Sequence, residues 1–220
     1  MLSHLASHLA LRNRALGLVV CTTGSATLAA TATGYSRTSG SFLTDGFDVG
    51  MEIVPTGFAA NTVDIVTAVT AHSLSVQEPR AVEAAHAGRT ISVGLPVLRA
   101  WENVDFTPVG GRPYVEEEYV PATNRLVTFP ASGGQLEETG LFLLKWYGLS
   151  AVGISALRTS VDALKALYAP DTVLVAGSNT VRCRSDLGAY CGQIIPIAGG
   201  WSVLVLTVPW LARSTNVIAA

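Results

Sequence analysis

The sequence predicts an α+β protein, an antiparallel sheet packed with helices, together with a small all-β barrel or sandwich module. Three observations carry that reading. Residues 19–93 are rich in Thr, Val, Gly and Ser in short alternating runs; from Leu95 onward the strands lengthen; and residues 152–167 repeat apolar side chains at helical spacing. Strands grouped around one long helix, with hairpin-like turns at Ser132-Gly133-Gly134 and Gly199-Gly200, favour antiparallel pairing over βαβ winding.

Taken in chain order, Leu2, Leu5, Leu9 and Leu16 fall near one stripe with Arg12 and Asn13 off it, which predicts an amphipathic helix ending near Gly17. Strands are expected at 27–33, 51–54, 63–69, 73–76 and 90–93, with 81–87 as an Ala-rich helical turn. Further strands are expected at 100–106, 113–120, 125–129 and 136–147. A helix follows over 152–167, where Ile154, Leu157, Val161, Leu164 and Leu167 recur, then strands at 172–175, 180–184 and 201–208.

Charged residues make up only 14% of the 220, against 49% for AVILMFWYC, so polar surface is scarce and apolar area is expected to face a partner. A formal charge of -2 lacks the Lys/Arg excess that counterion-release binding to nucleic acid requires. Three cysteines, Cys21, Cys183 and Cys191, suit reduced thiols in a reducing compartment. The run from Ala15 to Cys21 is interrupted upstream by Arg12 and Arg14 and has bulky Val19 and Val20 before the cysteine, so no export signal is expected. No run of about eighteen apolar residues predicts a membrane span.

The polar motifs offer little catalytic chemistry. His4 and His8 share i, i+4 spacing, but no HExxH completes a metal site; His72 and His86 lack carboxylate or cysteine companions. The stretch Val152-Gly153-Ile154-Ser155-Ala156 carries half of a nucleophile elbow, and Ser155 at a helix start is better read as a cap. No P-loop or GxGxxG occurs, and no metal or cofactor is expected. Glu116, Glu117 and Glu118 lie in one strand, and Glu137 and Glu138 open another. On an extended chain Glu116 and Glu118 share a face while Glu117 points to the other, which speaks against a paired-carboxylate cleft and for cross-strand pairing with Lys145 or Arg125. A small hydrolase using Glu116 and Glu118 is the remote alternative.

Residues 95–213 hold, in order, Trp101-Glu102-Asn103-Val104, Phe106-Thr107-Pro108, Pro113-Tyr114-Val115 with an acidic strand to Pro121-Ala122, Trp146-Tyr147, a long helix, Gly199-Gly200-Trp201 and Val208-Pro209-Trp210. This order resembles the phage tail terminator proteins of lambda-like siphophages. In that family a first helix runs through a Gly-Leu-Pro linker into the Trp-Glu-Asn strand; here Gly94-Leu95-Pro96 supplies the linker and the helix lies far upstream. The resemblance therefore implies a terminator-like domain made of residues 1–17 and 95–220, with an inserted β module at 18–94. An alternative places the module simply N-terminal to that domain, the first helix belonging to the module.

The resemblance further implies a non-enzymatic virion protein, assembled in the host cytoplasm and located at the tail-head junction. It would form a ring, expected to be hexameric, that caps the tail tube, ends its polymerisation and offers a surface to a head-completion or connector protein. DNA would be passing cargo, without sequence-specific binding. Another head-tail connector or tail-tube-like neck protein is the alternative. Trp101, Trp146, Trp201 and Trp210 are the expected subunit or partner anchors, and Glu116, Glu118, Glu137 and Glu138 the expected lumen-lining acids.

Overall fold

The computed structural model describes residues 2–101, 106–108, 111–126, 134–150, 154–176 and 179–216. Fifteen strands and two helices are described: α1 Leu2–Leu16, β1 Val19–Thr22, β2 Ala26–Thr31, β3 Gly34–Arg37, β4 Glu52–Thr56, β5 Asp64–Val69, β6 Ser73–Val76, β7 Glu83–Gly94, β8 Leu98–Ala100, β9 Tyr114–Leu126, β10 Gly134–Leu149, α2 Ser155–Leu167, β11 Val173–Ala176, β12 Asn179–Cys183, β13 Tyr190–Cys191, β14 Ile195–Ile197 and β15 Trp201–Asn216. Half of the chain is strand and 14% is helix, arranged as a closed six-stranded barrel and a half-barrel. The expected α+β class is thus corrected to mostly β. The reason is reach: β9, β10 and β15 pair along nearly their whole lengths and set the architecture, while the two helices only cover one side of it.

The barrel closes in the order β7-β2-β3-β6-β5-β4 and back to β7, with β1 added alongside β7. Strand β7 makes this closure because it is long enough to serve twice. Its first half, to Arg89, pairs with β2 and its second half with β1 and β4, and Gly88 at φ 82 lies at the register shift between the Leu28 and Ala26 pairings. Residues 81–87 were expected as a helical turn, yet Glu83 begins a strand opposite Ala30 and His86 lies opposite Leu28. An Ala-rich bias is too weak to resist that pairing. Leu28, Tyr35, Phe42, Ile53, Val66, Leu74 and Ile91 fill the interior, and the buried/half-buried alternation along β6 is the period-2 signature of a strand with one core face.

The half-barrel runs β11-β12-β15-β10-β9-β8, with β13 and β14 paired to β15. Its adjacent pairings are antiparallel except β8 with β9, which is parallel. Phe142, Leu144 and Trp146 of β10 and Leu204, Leu206, Val208 and Trp210 of β15 turn to one face, where they pack with Leu11 and Ala15 of α1 and Leu157, Val161 and Leu164 of α2. The expected strand at 125–129 is instead a continuation of β9 as far as Leu126; residues 127–130 lie outside the described residues, as do 102–105 of the expected strand at 100–106. Gly199 and Gly200, both at positive φ, turn the chain between β14 and β15.

Helix α1 forms where the leucine periodicity placed it, but the expected face is reversed. Leu5, Leu9 and Leu16 are exposed, whereas Ser7, His8, Leu11 and Ala15 are buried. The buried face is chosen by partners supplied from a hundred residues away. Tyr168 donates its hydroxyl to the Leu11 carbonyl at 2.6 Å, and Arg12 pairs with Glu117 on β9. Ser155 is the first residue of α2 rather than its cap: Ile154 occupies the cap position and no side-chain capping bond is made.

The two sheets are joined at close quarters. The chain enters the barrel at Val19 and leaves it at Gly94, and those residues are register partners in the β1–β7 ladder. Glu52 of β4 accepts hydrogen bonds from the Val97 N–H at 2.6 Å and from Arg112 at 2.8 Å. Beneath them is a cavity of about 30 Å³ lined by residues that include Met51, Val93, Trp146 and Leu157, space for about one water and no substrate.

Candidate assembly surface

Strand periodicity gives the half-barrel two chemically different faces. Residues of β10 with even numbers from Phe142 to Trp146 meet the helices, so Leu141, Leu143, Lys145 and Tyr147 turn to the other face. Register brings Tyr114, Glu116, Glu118 and Val120 of β9, and Trp201, Val203, Val205, Thr207 and Leu211 of β15, onto that same helix-free face.

The carboxylates divide as their spacing required. Lys145 lies opposite Glu116 and bonds it at 2.8 Å, and reaches Glu118 at 3.1 Å. Tyr147 donates its hydroxyl to the other oxygen of Glu116 at 2.9 Å. Burial opposes ionisation of Glu116, but the bonds from Lys145 and Tyr147 and the ammonium charge outweigh it, so its carboxyl is held below the ordinary value of 4.5. A carboxylate kept ionised in this way is unsuited to donate a proton as a glycosidase acid would. Glu137 is clasped between Arg125 of β9 at 3.3 Å and Arg213 of β15 at 3.0 Å, a three-strand ladder of charge. Beside it a cleft of about 350 Å³ is bordered by Thr139, Arg182, Arg184, Leu211 and Arg213.

Glu117 and Glu138 face the helix side instead, and both are buried. Glu117 is 3% exposed and holds Arg12, with His8 Nε2 at 3.3 Å. Of the four acids expected in a lumen, the structure therefore places Glu116, Glu118 and Glu137 on the helix-free face, Glu137 buried between its two arginines, and sets Glu138 on the other.

The tryptophans divide likewise. Trp146 and Trp210 are buried in the core, Trp210 stacked on Tyr119 with centroids 5.1 Å apart. Trp101 is half-buried under the Arg12 guanidinium at 4.8 Å. Trp201 meets the edge of Tyr114, which stacks on Tyr147 at 4.2 Å and 8°, so one end of the helix-free face is an aromatic platform. Pairwise spacing along β9, β10 and β15 made this platform, and only the register reveals it.

Apolar side chains extend that face towards its margin. Val173, Val175, Tyr190, Ile195 and Ile197 are exposed on β11, β13 and β14. Cys21, Cys183 and Cys191 are free thiols. Burial pushes the Cys21 thiol up to about 12, helped by Asp45, and the Cys183 thiol up to about 11. Among the described residues no three His, Cys, Asp or Glu side chains gather as a metal site, and no helix is long and apolar enough to cross a membrane.

Comparison with known proteins gives these features a context. A solved structure without a functional name is similar at 20% identity, covering 58% of this chain and 83% of its own, with a TM-score of 0.40, too slight a likeness to support an argument. No curated protein matches. Residues 80–210 match the phage tail terminator protein family, a span that begins just before β7 and runs through β15 to Trp210. This match covers more than half of the 220 residues, and the chain belongs to the phage tail terminator protein family, as a structural component of the phage tail.

Proposed function

We propose that the protein forms a ring that caps the finished tail tube, ends its polymerisation and presents a surface for joining the tail to the head. Family membership supports the tube end as its place. The observation that carries the ring is the half-barrel itself, whose helices pack on one face while the other holds half-buried Leu141, Leu143, Tyr147, Trp201 and Val205, bordered by the exposed Val173, Val175, Tyr190, Ile195 and Ile197. A subunit that satisfies such surface against a differently shaped part of its neighbour makes heterologous contacts, and these close into a ring when the rotation permits. Six subunits is the number the family reading implies. The partners are then sister copies, the tube protein and a head-completion or connector protein, and the helix-free face borders the path of passing DNA, where Glu116, Glu118 and Glu137 neutralise Lys145, Arg125 and Arg213 and so keep these cations from holding phosphate.

Within this reading residues 18–94 are a module inserted into a terminator domain made of residues 1–17 and 95–220. Support comes from the adjacent entry and exit at Val19 and Gly94, and from α1, whose Leu11 and Ala15 pack in the half-barrel core rather than the barrel core. Deleting 19–93 with a short linker is expected to leave a folded ring former; insoluble product would count against the division.

Negative-stain imaging of purified protein mixed with tube subunits tests the function. Closed rings at tube ends are expected, together with shorter tubes as the protein is added in excess. Rings at the head vertex and never on tubes would instead make it a connector, and a chain that neither forms rings nor binds tubes would overturn both readings. For the DNA path, Glu116, Glu118 and Glu137 are replaced by lysine. Unchanged DNA delivery by particles whose rings still form would remove the acidic-lumen role.

A further inference from the structure

The half-barrel has two margins that no strand covers along their whole length among the described residues, β11 with helix α1 close by and β9 with Pro121 and a register shift next to Val120. At one side β11 closes the sheet, and among the described residues no strand pairs with its outer edge. At the other side β8 covers only Tyr114–Glu116 of β9, and among the described residues no strand lies along the outer edge of β9 from Val120 to Leu126.

The ladder of β11 determines which backbone groups point outward. Cys183 donates its N–H to the Thr172 carbonyl at 2.9 Å. Because hydrogen-bonded pairs alternate along an antiparallel ladder, Leu174 turns its peptide groups to Val181 while Val173 and Val175 point theirs away from β12. The two residues are 48% and 77% exposed. The strand reads Val-Leu-Val-Ala, without the Lys, Pro or bulge that usually guards an edge.

Direction selects the partner. Four antiparallel steps, β9 to β10, β10 to β15, β15 to β12 and β12 to β11, separate the margins, so β9 and β11 run the same way. Rotation about an axis lying along the strands preserves that direction, so a second copy offers its β9 margin to β11 in parallel, each copy giving one edge and receiving one. Pairing β11 with itself would need a two-fold axis and leave every β9 margin open. Charge agrees with the unlike pairing. Arg182, the register partner of Val173, is 56% exposed at its side chain and held by Asp171 only at 3.8 Å, while Glu118, on the same face of β9 two residues before Val120, is 46% exposed. With the β11 valines against Val120, the arginine of one copy lies near the glutamate of the next.

We propose that β11 of one copy adds in parallel to the outer edge of β9 of a second copy around Val120, so that the subunits share one continuous sheet. This rests on the ring reading above and names the contact that closes it.

The test begins with the full chain at high concentration and on tube ends, followed by sedimentation and non-reducing gels. Val175→Pro removes an outward N–H without touching the β12 ladder, and is expected to convert the oligomer to a monomer that still unfolds cooperatively, with a thermal midpoint no longer dependent on protein concentration. Val175→Lys, which keeps the N–H but charges the edge, is expected to do the same and stands in if the proline variant does not fold. In a Cys191→Ser background, Val175→Cys combined with a cysteine at Val120, Ala122 or Thr123 is expected to give a ladder of disulfide-linked multimers on oxidation. An oligomer that survives both edge variants, or dimers formed by Val175→Cys alone, would overturn the pairing while leaving the ring standing. A wild-type chain that remains monomeric both alone and on tubes would overturn the ring itself.

Discussion

Arg12 on α1 reaches across 105 residues of sequence to the Glu117 carboxylate, which is buried in the face of β9 that looks towards the helices. This ion pair, with the Tyr168 bond to Leu11, fixes the N-terminal helix on the half-barrel. Removing one partner strands a buried charge, so Arg12→Ala is expected to destabilise by about 3–5 kcal/mol. Replacing both members with apolar residues should cost much less. Urea unfolding of the two single variants and the double variant measures the difference.

The reversed face of α1 gives a second expectation. Leu11→Ala empties a fully buried site and is expected to cost about 2–5 kcal/mol. Leu5→Ser and Leu9→Ser, on the exposed side, are expected to change stability by about 0.5 kcal/mol or less. Thermal midpoints that rank the other way would place the leucine stripe against the core.

Gly140 sits where β9 changes register against β10. A Cβ there would lie 2.5 Å from the Val120 carbonyl oxygen and 2.6 Å from the Trp210 ring. Gly140→Ala is therefore expected to destabilise by about 1–3 kcal/mol and to broaden the Trp210 near-ultraviolet signal as its stacking on Tyr119 is disturbed.

The Glu116, Lys145 and Tyr147 cluster predicts a pH response at each end. Glu116 titrates below its ordinary 4.5, so its contribution is present above 4.5 and is lost as pH falls through the folded value. Lys145 is opposed by burial, yet its bonds to Glu116 and Glu118 raise it above 10.5, so its contribution is present below 10.5 and is lost as pH rises past the folded value. Glu116→Gln is expected to flatten the acid limb of a urea-midpoint profile. Burial and the bond to Glu116 push Tyr147 up to about 12, and Tyr147→Phe is expected to remove a late phenolate step from an ultraviolet titration.

Thiol chemistry separates the three cysteines. Cys21 and Cys183 are buried with strongly raised pKa values, whereas Cys191 is half-buried and its shift, again from burial, is smaller. A disulfide reagent at mildly alkaline pH is expected to modify Cys191 first and the other two only on unfolding.

Much of the local structure was legible beforehand. The helical spacing of Leu157, Val161 and Leu164 located α2, and the period-2 argument separated Glu116 and Glu118 from Glu117, as the buried pairing with Arg12 and the open pairing with Lys145 bear out. Barrel closure was not legible, because it depends on β7 pairing with β2 along one half and with β1 and β4 along the other. The second half of β7 was expected as a strand at 90–93, but its first half from Glu83 was hidden, because those residues carry no β preference of their own.

The sequence by itself determined where α1 and α2 lie, which strand residues share a face, and the ordered aromatic and glycine motifs that mark the terminator family. Those are properties of neighbours along the chain, fixed by the 3.6 and 2.0 residue periods. Only the tertiary structure decided the mostly-β architecture, the face of α1 that is buried and which strands lie at the margins of the half-barrel among the described residues. Each of these turns on long-range register, such as Lys145 opposite Glu116 or Leu174 opposite Val181, and register is set by which distant strands meet rather than by any local preference.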